Sequence, residues 1–148
     1  MYPFSQKHAT MCLVAREVRT TKVFVFVKGA DSVMQKLLRQ GDAKHDQVVK
    51  KVFEDVEHFS GQGLRTLVFA YRELDFLSDS GLIHVMKKGW NALRQNQIEK
   101  DLTILGATGV EDILQPEVKE CVEDFVDAGM RLWMLTGDKG RTGCSIAI

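Results

Sequence analysis

A Thr-Gly-Asp tripeptide at residues 136–138 has the residue types that meet a phosphate group. It follows the apolar run 131–135, which predicts a buried strand, and ligands of parallel α/β sheets bind at the carboxyl ends of strands. The hydroxyl of Thr136 and the free amides around Gly137 suit a phosphoryl group at such a place. A plain turn capped by Asp138 explains the tripeptide equally well, so both interpretations stay open.

A second candidate for anion binding is the string Lys28-Gly29-Ala30-Asp31. Lys28 would bring an ammonium to the end of a strand, and Gly29 lets a ligand approach the backbone closely because it has no side chain. The ordinary alternative is a solvated lysine at a strand end.

Three other side chains are of the types that complete a purine-nucleotide pocket. A ring from Phe4 and a thioether from Met11 can enclose a purine, although such residues belong more often to a core. Arg65, at a predicted strand start, could hold phosphate oxygens or form a routine surface ion pair. Each signal is weak alone, so a pocket requires that the side chains converge.

Strands and helices over the first hundred residues must position these residues. We predict a strand pair at 11–15 and 21–28, helices from Ala30 to near Gly41 and from Val48 to Gly61, a strand at 64–74, and a helix from Ser78 or Asp79 to Leu93.

The last third of the chain predicts a different architecture. A strand at 102–107, a helix with Pro116 at its first position and its end at Gly129, and the strand before Thr136 form a βαβ unit of a parallel sheet. We therefore expect an α/β protein. An α+β part with a mainly antiparallel sheet would cover residues 1–100, and a partial βαβ part would cover residues 101–148.

Composition and charge exclude several classes of protein. The 148 residues are 45% hydrophobic and 27% charged, which suits a globular fold. The 20 basic and 20 acidic residues cancel, so no net field favours nucleic acid or an anionic membrane surface. The three cysteines form no CxxC pair, which argues against a disulfide framework and a zinc site. The apolar runs are too short for a transmembrane helix.

Five strings, in order along the chain, resemble landmarks of the P-type ATPases. They are Phe4-Ser5 with Met11, Val27-Lys28-Gly29-Ala30-Asp31-Ser32-Val33, Gly63-Leu64-Arg65-Thr66-Leu67, Gly106-Ala107-Thr108-Gly109-Val110-Glu111-Asp112-Ile113-Leu114-Gln115, and Leu135-Thr136-Gly137-Asp138-Lys139. The second and fourth resemble the phospholipid-flippase branch. Ordered matches over nearly the whole chain are a specific signal, whereas any one of them would be weak.

The resemblance implies a ligand, ATP, and a role for particular residues. Phe4 would stack on adenine, Lys28 would lie in the nucleotide pocket, and Arg65 would hold phosphate oxygens. The expected ATP-binding set is Phe4, Ser5, Met11, Lys28, Gly29, Arg65, Thr136, Gly137 and Asp138. Asp112 would lie in the hinge between a nucleotide-binding domain, residues 1–100, and part of a haloacid-dehalogenase-like phosphorylation domain, residues 101–148. Mg²⁺ is implied for the parent enzyme, with its ligands mostly outside this chain.

The sequence also departs from the pattern of the family. His8-Ala9-Thr10 stands where family members carry Arg-Lys-Arg, which predicts weaker ATP binding. Gly140-Arg141-Thr142-Gly143 stands where the flippases carry Gln-Glu-Thr-Ala. The sequence contains neither Asp-Lys-Thr-Gly-Thr, whose aspartate the family phosphorylates, nor Gly-Asp-Gly-x-Asn-Asp. We therefore expect no catalytic residue, and ATP binding without turnover by this chain alone.

These observations predict an ATP-binding piece of a phospholipid-translocating P-type ATPase, at the cytosolic face of a membrane. Its partners would be ATP, the remainder of the ATPase with its transmembrane helices, and an accessory subunit. Two alternatives stay open: a non-catalytic nucleotide-binding or interaction module derived from such an ATPase, and a piece of a cation-transporting P-type ATPase. A stand-alone phosphatase of the haloacid-dehalogenase kind is disfavoured because the sequence has no Asp-x-Asp motif.

Overall fold

The backbone forms an antiparallel sheet with helices packed on one of its faces. The structure, a computed structural model, describes residues 2–5, 8–74, 98–111, 115–133, 135–137 and 140. The elements within these residues are β1 Tyr2–Ser5, β2 Thr10–Arg16, β3 Val23–Gly29, α1 Asp31–Leu37, α2 Ala43–Gly61, β4 Arg65–Glu73, β5 Thr103–Val110 and α3 Val118–Asp127. The predicted α/β class with a mainly antiparallel sheet is confirmed.

Strand order in the sheet follows chain order, β1-β2-β3-β4-β5, and every neighbouring pair is antiparallel. Strands β2 and β3 pair from Thr10↔Gly29 to Arg16↔Val23 without interruption. Strand β4 continues the register on the other side of β3, with Val68 opposite Gly29. Because side chains alternate along a strand, this register places every second residue of the three central strands on the same face.

One face of the sheet carries the core. Val25 and Val27 of β3 and Val68 of β4 are at most 2% exposed, and they belong to one cluster with Met34 of α1 and Val56 of α2. The β-branched side chains of the strands suit this pleated surface. The burial of one residue in two along β3 confirms the strand predicted from the alternating run after Thr21.

Helix α2 begins at a side-chain cap and is tied to the last strand of the sheet. The Asp42 carboxylate accepts hydrogen bonds from the backbone N–H groups of His45, at 3.3 Å, and Lys44, at 3.1 Å. These bonds, with that from His45 as the largest cause, hold the pKa of Asp42 below its usual value. The buried His45 ring accepts the Ile104 N–H at Nε2, at 3.1 Å, and so joins α2 to β5.

Strand β5 differs from its expected place. The sequence predicted a strand at 102–107 within a parallel βαβ unit, but β5 is antiparallel to β4, from Arg65↔Val110 to Tyr71↔Thr103. The register shifts once, between Phe69 and Ala70. A short apolar run indicates a strand but does not indicate which strand pairs with it. The predicted parallel pairing of β5 is therefore wrong. By this pairing, residues 103–110 extend the sheet of the first part of the chain.

The expected strand at 131–135 is absent from the described residues of that segment, 130–133 and 135. Its apolar side chains are exposed, including Trp133 at 83% and Leu135 at 93%. A strand forms only where a neighbour pairs with it, and no described residue pairs with this segment. The preceding helix, α3, begins at Val118 rather than at Pro116, because Glu117 has a left-handed φ of 65°.

Some predictions fall outside the described residues. The helix expected from residue 78 or 79 to 93 is one of them, and the candidate residues Asp112 and Asp138 are two others. In the part of the chain that the structure does describe, no helix combines the length and the apolar character that crossing a membrane requires.

Candidate nucleotide-binding site

The sheet face opposite the core carries three of the nine candidate residues, Met11, Lys28 and Arg65. We call it the open face, because α1 and α2 contact the core face through Met34 and Val56. By the strand register, the open face includes Met11, Leu13, Ala15, Phe24, Phe26, Lys28, Arg65, Leu67, Phe69, Tyr71 and Glu73. Its aromatic members contact one another, and the rings of Phe26 and Tyr71 stack with centroids 6.4 Å apart.

Lys28 lies in the middle of a row that crosses three strands. Met11 of β2 is its register partner on one side and Phe69 of β4 is its partner on the other. All three side chains are half-buried. Within the described part of the chain, the Lys28 ammonium has no hydrogen bond or ion pair. An ammonium between a thioether and an aromatic ring can bind an anionic ligand that also carries an aromatic group.

Gly29, the last residue of β3, lies close to Ala9 and to Thr10 at the start of β2. A Cβ atom placed on Gly29 would lie 2.7 Å from the carbonyl oxygen of Ala9 and 2.8 Å from Cγ2 of Thr10. The glycine is therefore required by close approach of the protein's own backbone. Gly29 was predicted to let a ligand approach the backbone. In the structure, the atoms that approach it belong to Ala9 and Thr10.

Arg65 shares the open face but stands at its edge. It is the first residue of β4 and is exposed, and it lies four residues before Phe69 on the same side of the strand. Four residues of strand span about 13 Å. The Arg65 backbone therefore lies well beyond the Lys28 row. The distance along β4 between Arg65 and Phe69 is one that a base with its phosphates can span.

Phe4 borders the row from the first strand. Ser5 pairs with Thr10, so Phe4 is at the level of Met11 on the neighbouring strand, and its side chain is 60% exposed. The register shifts between Tyr2 and Ser5. An exposed ring next to Met11 is available for stacking on a planar ligand.

The remaining candidates lie elsewhere. Thr136 and Gly137 are exposed in the segment that follows α3, outside the five-stranded sheet. The sheet thus brings Met11, Lys28 and Gly29 together with Phe4 and Arg65 at the borders of the row, whereas the contribution of Thr136 and Gly137 stays a prediction.

Phe69 is a site candidate that the sequence reasoning missed. It is the register partner of Lys28, and its ring lies on the same face. The alternation Leu67, Phe69, Tyr71 along β4 signalled a large apolar side chain at each open-face position. Only the pairing of β4 with β3 could show which of them is next to Lys28.

The open face also has a hollow of about 410 Å³ at its other end. Phe24, Phe26 and Tyr71 line it together with Leu105 and Arg16. None of the predicted site residues lines this hollow. We therefore define the candidate site by the Lys28 row and not by this hollow.

The described residues contain no group of three or more His, Cys, Asp or Glu side chains that could hold a metal ion. They therefore provide no such set of ligands for Mg²⁺.

The ordered motifs of the sequence agree with comparison to known families. Residues 1–117 match the model of the P-type ATPase cytoplasmic domain N. This match covers more than half of the 148 residues, and the chain belongs to the P-type ATPase family.

Individual relatives are phospholipid-transporting ATPases. The chain is 35% identical to probable phospholipid-transporting ATPase 11 of Arabidopsis thaliana over 97% of its length. It is likewise 35% identical to phospholipid-transporting ATPase FetA of Mus musculus over 97% of its length, and 33% identical to phospholipid-transporting ATPase VD of Macaca fascicularis over 98%. These alignments cover 12%, 13% and 25% of the respective relatives, so the chain corresponds to a small part of each.

Proposed function

We propose that this chain binds ATP on its open face, with Lys28 as the central contact. The observation that carries the proposal is the row Met11, Lys28 and Phe69, in which a half-buried lysine has a methionine and a phenylalanine as its register partners. Adenine would be held between apolar surfaces, with Phe4 stacking on it. Lys28 and Arg65 would meet the phosphates with charge-assisted hydrogen bonds.

We further propose that the chain acts as the nucleotide-binding part of a phospholipid-translocating P-type ATPase. The similarity of the chain to phospholipid-transporting ATPases supports this assignment. In the whole ATPase, this face would present ATP to an aspartate from another segment, and formation and breakdown of the acyl phosphate would drive lipid translocation through transmembrane helices. Mg²⁺ would be held mostly by residues outside this chain, and an accessory subunit is a further proposed partner.

Two segments outside the sheet are assigned roles in the same proposal. Thr136, Gly137 and Asp138 would contact the transferred phosphoryl group within a partial haloacid-dehalogenase-like phosphorylation domain. Asp112 would set the geometry of the hinge. We propose that the hinge begins after residue 110, and the pairing of residues 103–110 with β4 supports this.

The test is a titration with ATP and, in parallel, with adenosine, followed by backbone amide NMR. We expect weak, submillimolar ATP binding, with shifts centred on Met11, Lys28 and Phe69. Lys28→Ala should raise the Kd for ATP about tenfold, because a charge-assisted hydrogen bond contributes about 1.5–3 kcal/mol, and should affect adenosine less. Phe4→Ala should weaken both ligands alike, by about 1–3 kcal/mol of base stacking.

Lys51→Ala is the matched control, because Lys51 is an exposed lysine of α2. It should leave both affinities unchanged. Equal shifts in the wild type and in all three variants would refute the assignment of the site. Shifts centred on Phe24 and Tyr71 would instead place the ligand in the hollow at the other end of the open face.

A further inference from the structure

Next to the Met11 and Lys28 pair, the start of β2 contacts the end of β3. Thr10 pairs with Gly29, and the Ala30 N–H donates to the carbonyl oxygen of Ala9 at 3.2 Å. A Cβ atom on Gly29 would come within 2.8 Å of the Thr10 side chain. We call these four residues, Ala9, Thr10, Gly29 and Ala30, the β2–β3 junction. A small displacement of the junction would move Met11 relative to Lys28, because Met11 directly follows Thr10 on β2 and Lys28 directly precedes Gly29 on β3.

A carboxylate from a distant part of the sequence binds the junction on the core side. Thr10 is fully buried, and its Oγ1 donates to a carboxylate oxygen of Glu99 at 3.3 Å. Glu99 is only 1% exposed and lies 89 residues further along the chain. Burial strengthens this hydrogen bond, because it removes the competition of water.

The segment that carries Glu99 is itself held in place. The Leu102 N–H donates to the Leu37 carbonyl at 2.9 Å, and the Arg39 N–H donates back to the Leu102 carbonyl at 2.9 Å. The Arg72 guanidinium donates to the Lys100 carbonyl at 2.6 Å. Glu99 therefore reaches Thr10 from a fixed platform made by α1 and β4.

We infer that Glu99 is a positioning residue for the nucleotide site. By accepting the Thr10 hydroxyl, it holds the start of β2 against the end of β3, so that Met11 and Lys28 face one ligand together. The inference rests on the proposed ATP binding for its functional consequence, and on the buried contact between Thr10 and Glu99 for its physical basis.

Thr10→Val and Thr10→Ser separate positioning from general stability. Valine keeps the volume of threonine but cannot donate to Glu99, whereas serine keeps the hydroxyl. We expect Thr10→Val to raise the Kd for ATP roughly three- to tenfold and Thr10→Ser to stay within about twofold of the wild type. The exchange of the Ala30 amide, relative to the Val52 amide of α2, should accelerate in Thr10→Val only.

Val56→Ala is the matched control for lost stability, because Val56 is fully buried in α2 and lies outside the junction. It should lower the melting temperature while leaving the Kd for ATP within about twofold of the wild type. The inference fails if Val56→Ala weakens ATP binding as much as Thr10→Val, or if Thr10→Ser behaves like Thr10→Val. If the wild type binds no ATP, the proposed function fails. The relative exchange of Ala30 then decides on the positioning alone: faster exchange in Thr10→Val supports it, and unchanged exchange overturns it.

Discussion

Met11 and Lys28 are register partners on β2 and β3, with their side chains on the sheet face opposite the core. This pairing joins two motifs that lie apart in the sequence. The pairing of β3 with β4 sets Phe69 next to Lys28, and Arg65 lies at the edge of the face.

The close approach at Gly29 predicts the effect of adding one methyl group. Gly29→Ala should lower the free energy of unfolding by about 1–3 kcal/mol, because the new Cβ would meet the backbone oxygen of Ala9 at 2.7 Å. Urea denaturation measures this loss. Gly61→Ala is the control, since nothing lies within 4 Å of a Cβ there and the residue ends α2. Equal stability of the two variants would contradict the close contact.

The turn before β2 predicts that ATP affinity can be raised. Ala9 stands where the family pattern has a lysine, and Ala9→Lys would restore an ammonium two residues before Met11. We expect a roughly tenfold lower Kd for ATP, from one charge-assisted contact, and a much smaller change for adenosine. Calorimetric titration of both ligands measures the difference.

Gln47→Lys is the control for Ala9→Lys, because it adds the same charge at an exposed position of α2. Any gain that Gln47→Lys produces reflects net charge alone. If the two variants gain equally, or if adenosine gains as much as ATP, the turn does not face the phosphates.

The cap of α2 predicts a dependence of stability on pH. The folded-state pKa of Asp42 is lowered, first by the His45 backbone hydrogen bond, so its contribution is present above the unfolded pKa and is lost as pH falls through the folded pKa. Asp42→Ala should therefore have a lower melting temperature than the wild type at about pH 7, and the difference should shrink toward about pH 3. Asp42→Asn retains a neutral acceptor, so its melting temperature should change less with pH. A pH-independent difference between the wild type and Asp42→Ala would show that the carboxylate charge is not involved.

Much of the fold could be predicted from local pattern, and the failures have a common cause. The alternation around Val25 and the helical spacing before Gly61 indicated elements that the structure confirms. The pairing of β2 with β3 was predictable, because two β-rich runs follow one another along the chain. The other pairings were not: an apolar run does not indicate whether its neighbour is parallel, as β5 shows, or whether it has a neighbour at all, as residues 131–135 show. The contact of Thr10 with Glu99 joins positions 89 residues apart, and no local signal announces it.

The last prediction concerns turnover. The 148 residues contain no Asp-Lys-Thr-Gly-Thr string. We therefore expect them to bind ATP without transferring its phosphoryl group. Purified chain with saturating ATP and Mg²⁺ should release phosphate no faster than a buffer blank, even where NMR shows that ATP is bound. Lys28→Ala distinguishes the chain from a contaminating ATPase, because only activity that belongs to the Lys28 site will fall with that substitution. Phosphate release that follows the chain through a sizing column and decreases in Lys28→Ala would mean that a group within these 148 residues performs the transfer, and the assignment of binding without turnover would be wrong.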